Sequence, residues 1–261
     1  CGNTSTASQT VTVRDTAEME VTVVLDGNFG TDSEFTRPIT FVLGGDGNGP
    51  VAPETRTLNV EFVNGVGTVT LDVPANGYWT KISAKDEKHT LRKKVDIDKV
   101  GKKYQATLHL TSGDVTNDNM IDILDFAVFA GQYGSSPSST STRNADFDGN
   151  GTVGIEDFTP IANNFLKEGE AEPTNTVATQ SAAPPANGSA SVKARKAVEA
   201  ANIGLSNVVS IAPAPRTAVS VRELKSLGIE NAELADMNKD GIVNATDIML
   251  FMNTFGNMGK K

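Results

Sequence analysis

At 261 residues and 38% hydrophobic content, the chain is too long for one small module and has enough apolar residues for two or three modest cores. A formal net charge of −9, with no basic groove interleaved with aromatics, argues against nucleic acid as a partner. No apolar run reaches the roughly 18 residues a spanning helix needs, and the single cysteine, Cys1, leaves no internal disulfide.

The first residues, CGNTSTASQT (1–10), read as a polar tether. A chain that starts at cysteine suggests either a mature bacterial lipoprotein, with lipid on Cys1, or a piece cut from a longer secreted protein. Residues 11–111 read as strands. MEVTVVL, PITFVL, LNVEFV, TVTLDV, YWTKISA, LRKKVDI and YQATLHL are short runs separated by turn signals. Asn64-Gly65 between two of them predicts a tight hairpin, because both turn positions need positive φ. Seven or eight such strands predict a β-sandwich, of immunoglobulin-like or carboxypeptidase-regulatory-like kind. Its expected core is Val21, Val23, Leu25, Phe41, Leu58, Val60, Phe62, Val69, Leu71, Val73, Trp79 and Ile82. The glycine-rich GGDGNG (44–49) is not followed by a helix and reads as a wide turn rather than a phosphate cradle.

Residues 112–168 contain two twelve-residue segments, DVTNDNMIDILD (114–125) and DFDGNGTVGIED (146–157). After the first, Phe126, Phe129, Ala130 and Tyr133 recur at helical spacing before Gly134. After the second, Phe158, Ile161, Phe165 and Leu166 are expected to form a buried helical stripe, with Pro160 tolerable in a first turn. SSPSSTST separates the halves as a spacer. Residues 169–215 are rich in Ala, Pro, Ser and Thr and read as a linker. Within it VKARKAVEAANI could form a short helix and NVVSI an isolated strand, which leads to the expectation that the linker is pinned against something. Residues 216–261 begin with a capping box, Ser220 and Glu223, on the helix VRELKSL, which ends at Gly228. A third segment follows, DMNKDGIVNATD (236–247), and then IMLFMNTF, a helix with Ile248, Phe251, Met252 and Phe255 facing inward.

The three segments share one pattern. Oxygen-bearing side chains stand at positions 1, 3, 5 and 12, and an aliphatic residue (Ile121, Val153 or Val243) at position 8. Calcium is a hard cation that takes six to eight oxygens, and a looped chain offers them at alternate positions. In loop one the expected ligands are Asp114, Thr116, Asp118, the carbonyl of Met120, Asp122 and Asp125. In loop two they are Asp146, Asp148, Asn150, the carbonyl of Thr152 and Asp157, with water at Gly154. In loop three they are Asp236, Asn238, Asp240, the carbonyl of Ile242, Asn244 and Asp247. Position 6 needs a left-handed residue and is Asn119, Gly151 and Gly241 in turn. Up to three calcium ions are therefore expected, and three such segments each followed by an apolar helix are a specific signal.

Each loop ends in Asp rather than the Glu usual in EF-hands. The loops resemble type I dockerin repeats, which pair an Asp-terminated calcium loop with one following helix. The resemblance is close over 112–168, and 236–257 is similar to one further half-repeat. EFTRPITF, KDEKHTLRKK and VSVRELKSLGI resemble the arrangement in large secreted bacterial proteins in which a β-sandwich precedes dockerin-like repeats. The resemblance implies a cohesin-like partner, recognised through loop positions 10 and 11: Ile123-Leu124, Ile155-Glu156 and Ala245-Thr246, of which the last comes nearest the family's Ser/Thr pattern.

No Cys–His pair or Gly-x-Ser-x-Gly elbow occurs, and His89 and His109 read as surface or strand-end residues, so an enzyme is not expected. Two readings remain for an extracellular or bacterial cell-surface protein. One is a structural subunit of a calcium-stabilised assembly, such as a filament, in which the unpaired third loop packs on a neighbouring copy or back on its own first pair. The other is an adaptor that docks a cohesin-like protein on a scaffold.

Overall fold

The computed structural model describes residues 16–26, 34–48, 52–74, 79–101, 103–138, 140–176 and 214–255. Cys1 and the tether, the expected linker helix and the expected strand NVVSI lie outside the described residues.

Alternating sequence gives nine strands in the N-terminal part: β1 (Thr16–Leu25), β2 (Glu34–Gly44), β3 (Asp46–Asn48), β4 (Glu54–Val63), β5 (Val66–Pro74), β6 (Lys81–Asp86), β7 (Lys93–Asp96), β8 (Asp98–Val100) and β9 (Lys103–Leu110). Eight of them hydrogen-bond in the order β7-β6-β2-β4-β5-β1-β9-β8. The Asn64-Gly65 turn forms as expected, with φ of 52° and 77°. Beyond it the hairpin does not stay paired. β4 runs beside β2 from Glu54 to Val63, whereas it meets β5 only at Phe62↔Gly67 and Val63↔Val66. β5 turns instead along β1, and β1 accepts β9 in parallel on its other side. The sheet thus divides at the hairpin into two four-stranded leaflets. Gly67 stands at the point of divergence, where a Cβ would lie 2.6 Å from Val60 Cγ1.

Inward residues of both leaflets form one core: Met19, Val21, Val23 and Leu25 from β1, Ile39, Phe41 and Leu43 from β2, Val60 and Phe62 from β4, and Tyr104, Ala106, Leu108 and Leu110 from β9. Each fully buried large side chain contributes about 1.5–3 kcal/mol of transfer free energy. All twelve expected core residues belong to this cluster, with Leu58 and Val69 only partly buried.

The second core is built by β10 (Met120–Ile121), α1 (Ile123–Gln132), α2 (Phe158–Asn164), β11 (Lys167–Glu168), β13 (Ala218–Ser220), α3 (Val221–Ser226), a 3-10 turn (Ala232–Leu234), β14 (Ile242–Asn244) and α4 (Ala245–Phe255). Phe251 of α4 is the keystone. Its ring lies 5.3 Å from Phe129, 5.4 Å from Phe158, 5.9 Å from Phe126 and 5.1 Å from Tyr133. Loop three's helix therefore packs on the first pair of its own chain, one of the two places the sequence allowed. Gly131 in α1 makes the approach possible, since a Cβ there would lie 2.6 Å from the carbonyl oxygen of Glu230.

Four sequence expectations need correction. Leu166 is 45% exposed rather than part of a buried stripe, because α2 ends at Asn164 and the chain turns away there with φ of 64°. Met252 is 48% exposed rather than inward, because Ile248, Phe251 and Phe255 already fill the buried stripe of α4. Asp46–Asn48 inside GGDGNG is a strand, paired in parallel with β12 (Thr174–Thr176), so the start of the presumed linker is tied to the sheet domain. His89 is 4% exposed, because the calcium-loop region closes over it, whereas His109 is exposed as expected.

Candidate functional site

The three loops share one backbone scaffold. The position-12 carboxylate accepts the amides of positions 2, 3 and 9 each time. Asp125 takes Val115, Thr116 and Asp122; Asp157 takes Phe147, Asp148 and Gly154; Asp247 takes Met237, Asn238 and Asn244. The position-1 carboxylate accepts the position-6 amide at 3.0, 2.9 and 2.8 Å in Asp114, Asp146 and Asp236. Positions 4 and 6 are left-handed in every loop: Asn117 and Asn119, Gly149 and Gly151, Lys239 and Gly241. Aspartate suits position 12 because its short arm reaches three amides of its own loop.

The loops differ in how position 8 is held. Leu166, after α2, donates to Ile121 of loop one at 2.7 Å; Val153 of loop two exchanges 2.9 Å bonds with Gly134 and Ser135, after α1. Each loop of the pair is thus stapled to the chain that leaves the other's helix. Val243 of loop three pairs with Val219 in β13, the strand that enters its own unit.

Loop two is the best-formed cation cradle. Asp146, Asp148 and Asp157 bring oxygen atoms within 4.8 Å of one another. Asp146 Oδ2 takes the Gly151 amide, but Oδ1 is buried with no hydrogen-bond partner among the described residues. A buried carboxylate oxygen without a donor is costly, and a divalent cation is the natural partner. Burial pushes Asp157 up to about 6, with the Asp148 charge adding to it, and raises Asp148 with help from Asp146, where the carboxylates converge. Asn150 accepts from the Thr152 amide and donates to Asp148. The donor set is all oxygen and fits calcium.

Loop three has the same chemistry in a looser state. Asp236 accepts the amides of Asp240 and Gly241, Asp240 accepts that of Ile242, and Asn238 bonds to Asp240. Asn244 caps the start of α4 through the Thr246 amide at 2.7 Å. Its oxygen donors at positions 1, 3, 5 and 12 fit calcium as well, and among the described residues no lysine or arginine bonds them, while Asn244 at position 9 has the same capping role as Asp122 in loop one.

Loop one does not fit. Asp122, expected at position 9, has both oxygens engaged elsewhere: Oδ1 caps α1 through the Leu124 amide and Oδ2 takes the Arg216 amide, each at 2.7 Å. Thr116 donates its hydroxyl to Asp125. Asn119 Oδ1 accepts the Arg92 amide. Asp114 is fully buried and already has a cation, with Lys85 Nζ 2.7 Å from Oδ2. Burial raises Asp114 against the pull of Lys85, and raises Asp125 well above the usual carboxylate range with help from the Asp114 charge.

The sheet domain touches loop two through a second group. Arg37 donates to Asp86 at 2.9 Å, to His89 Nδ1 at 2.7 Å and to the Phe147 carbonyl at 3.3 Å. Because Arg37 can only donate, His89 Nδ1 accepts, and the proton sits on Nε2, which bonds the Asn144 carbonyl at 2.8 Å. Burial and the Arg37 charge lower His89 to about 4, so the ring is neutral. Lys85, Arg37 and His89 were not legible as site residues; each reads as an ordinary polar residue of a strand or turn.

Residues 112–166 match the family model of the dockerin type I domain. No curated protein matches the chain at a significant level. Two solved structures with partial likeness are type II cohesin–X–dockerin complexes from Acetivibrio cellulolyticus. One is an N-terminal interface mutant at 17% identity, TM-score 0.40, covering 58% of this chain and 97% of that one. The other is a C-terminal interface mutant at 19% identity, TM-score 0.38, covering 57% and 97%.

Proposed function

With a dockerin type I segment at 112–166 as the premise, we propose that the chain is a non-catalytic, calcium-stabilised adaptor that docks a cohesin-like protein outside the cell. On this reading the sheet domain (11–111, a β-sandwich) is followed by the dockerin pair (112–168), the linker (169–215) and a third calcium half-repeat (216–261) that completes the pair's core. Calcium in loop two would be held by Asp146, Asp148, Asn150, the Thr152 carbonyl and Asp157. In loop three it would be held by Asp236, Asn238, Asp240, the Ile242 carbonyl, Asn244 and Asp247. The ion ties the two ends of each loop together, so binding energy becomes folding energy. Loops of this kind suit an extracellular compartment, where calcium is plentiful.

The observation that carries the docking role is which helix-entry residues are open. Ile123 and Leu124 are buried, whereas Glu156, Ala245 and Thr246 are exposed. Partner recognition therefore falls to the entries of α2 and α4. The structural-subunit reading allowed the third loop to pack back on its own first pair, and the core shared through Phe251 is that arrangement, so a neighbouring copy is not needed to complete it.

The test is immobilised cohesin domains of both types challenged with the full chain. Binding in calcium that is lost in chelator, and weakened at least tenfold by Thr246→Arg, is the expected result. No binding to any cohesin, or binding indifferent to calcium, sinks the adaptor reading.

A further inference from the structure

We infer that loop one takes no calcium, and that the Lys85 ammonium of the sheet domain supplies the charge that neutralises Asp114 instead. The backbone scaffold of loop one is the same as in the other two loops, so its chain is folded around a centre. What differs is what neutralises its first carboxylate. Asp114 Oδ1 takes the Asp118 amide at 3.2 Å, and Oδ2 takes the Asn119 amide at 3.0 Å and Lys85 Nζ at 2.7 Å. Asp146, at the same position of loop two, takes the Gly151 amide on Oδ2, and among the described residues no lysine bonds it and its Oδ1 has no donor.

The arrangement is built rather than incidental. On β6 Ile82 and Ala84 face the sheet core, yet Ser83 and Lys85 on the opposite face are buried as well, at 0% and 4% exposed. A lysine is almost never buried this far without a paired anion, and Asp114 is the carboxylate it reaches. The neighbouring turn fixes the same loop at several points. Gly113 and Asp114 donate their amides to the His89 carbonyl, Asn119 accepts the Arg92 amide, and Asn117 donates to Glu87 at 3.1 Å. The other expected ligands are committed to the protein, with Asp122 capping α1 and holding Arg216. Loop one is thus a strut between the sheet domain and the helices, and the strut does not depend on calcium.

The inference shares with the proposed function only the premise that loops two and three take calcium, and ion counting by native mass spectrometry of the full chain separates the two. The wild type is expected to hold two ions, Asp118→Ala also two, and Asp240→Ala one. Lys85→Met, which removes the ammonium and keeps the length, is expected to gain a third ion, with position 9 met by water. Three ions in the wild type falling to two in Asp118→Ala overturns the inference, as does a folded Lys85→Met that still holds two. An Asp240→Ala count equal to the wild type would instead count against calcium in loop three and leave Lys85 untouched. Should Lys85→Met not fold, hydrogen exchange on the wild type decides. In chelator the Val115, Thr116 and Asp122 amides are expected to stay protected while those of Phe147, Gly151 and Gly154 open. Opening of both sets together refutes the strut.

Discussion

Loops one and two have the same backbone and opposite solutions to the same electrostatic problem. Both gather carboxylates at positions 1 and 12 and both use position 12 to collect three amides. Among the described residues Asp146 Oδ1 of loop two has no donor, whereas in loop one the matching oxygen of Asp114 takes the Asp118 amide and Lys85 pairs with the other. The scaffold therefore does not determine which cation neutralises it; the neighbour does. Loop one lies against a sheet that can offer a lysine. Loop two meets that sheet through Arg37, which donates to the Phe147 carbonyl, and through His89, whose ring packs on Phe147.

The largest effect should come from breaking loop one's pair. Lys85→Ala leaves Asp114 buried without a counter-charge, which costs about 3–5 kcal/mol. Measured in chelator by denaturant unfolding, the midpoint is expected to fall well below that of the wild type. The equivalent loss of charge in loop two, Asp146→Ala, should matter in calcium and hardly at all in chelator. Equal sensitivity of the two variants to chelator breaks the contrast.

Next in size is a pH effect confined to the loop-two contact. His89 is neutral in the fold with a pKa of about 4, below its ordinary 6.5. As pH falls the unfolded chain takes up the proton first. Stability is level above about 6.5 and declines between 6.5 and 4, by roughly 3 kcal/mol in all. Arg37, Asp86 and Lys88 are the charged groups that bear on the ring. A His89→Gln variant, which can still bond Arg37 and Asn144, is expected to flatten this decline. An unchanged slope in that variant places the acid sensitivity elsewhere.

Each calcium ion by itself should act somewhat less strongly. At a free concentration about a hundredfold above Kd, each bound ion adds about 2.7 kcal/mol. Titration followed by calorimetry is expected to raise the melting temperature of the helical part, with Asp157→Ala removing loop two's share. A sheet domain that shifts equally with calcium would mean that the two cores do not unfold separately.

The three loop scaffolds were legible because their turns and carboxylates are local: spacing within twelve residues sets them. The strands were legible for the same reason, since alternation is a short-range pattern. What the sequence hid depends on partners far along the chain. Lys85 and Asp114 are separated by 29 positions, and nothing in KISAKD distinguishes Lys85 from Lys81, which stays on a strand surface. The divergence of β4 from β5 after a well-marked hairpin is set by competition from β2 and β1, not by the turn. The seat of Phe251 was visible only as a helix lacking a partner. One signal did exist: Gly131 interrupts the apolar helix FAVFAGQYG, and an interior helical glycine often marks a close backbone approach.

The smallest expected effect separates the two loops most cleanly. Position 6 is glycine in loops two and three and Asn119 in loop one, where φ is 68°. If loop one were a calcium loop with a poor turn residue, Asn119→Gly would relieve the left-handed backbone and improve it. In the structure the side chain has work of its own. Its Oδ1 accepts the Arg92 amide at 2.7 Å, its Nδ2 donates to the Glu170 carbonyl at 3.4 Å, and Gly169 packs directly over it. Losing the Arg92 bond leaves a half-buried amide short of an acceptor, worth about 1 kcal/mol, against a few tenths to 1 kcal/mol gained from the relaxed turn. Asn119→Gly should therefore be neutral to mildly destabilising and should leave calcium stoichiometry unchanged. A clear gain in stability that appears only with calcium would return loop one to the company of the other two.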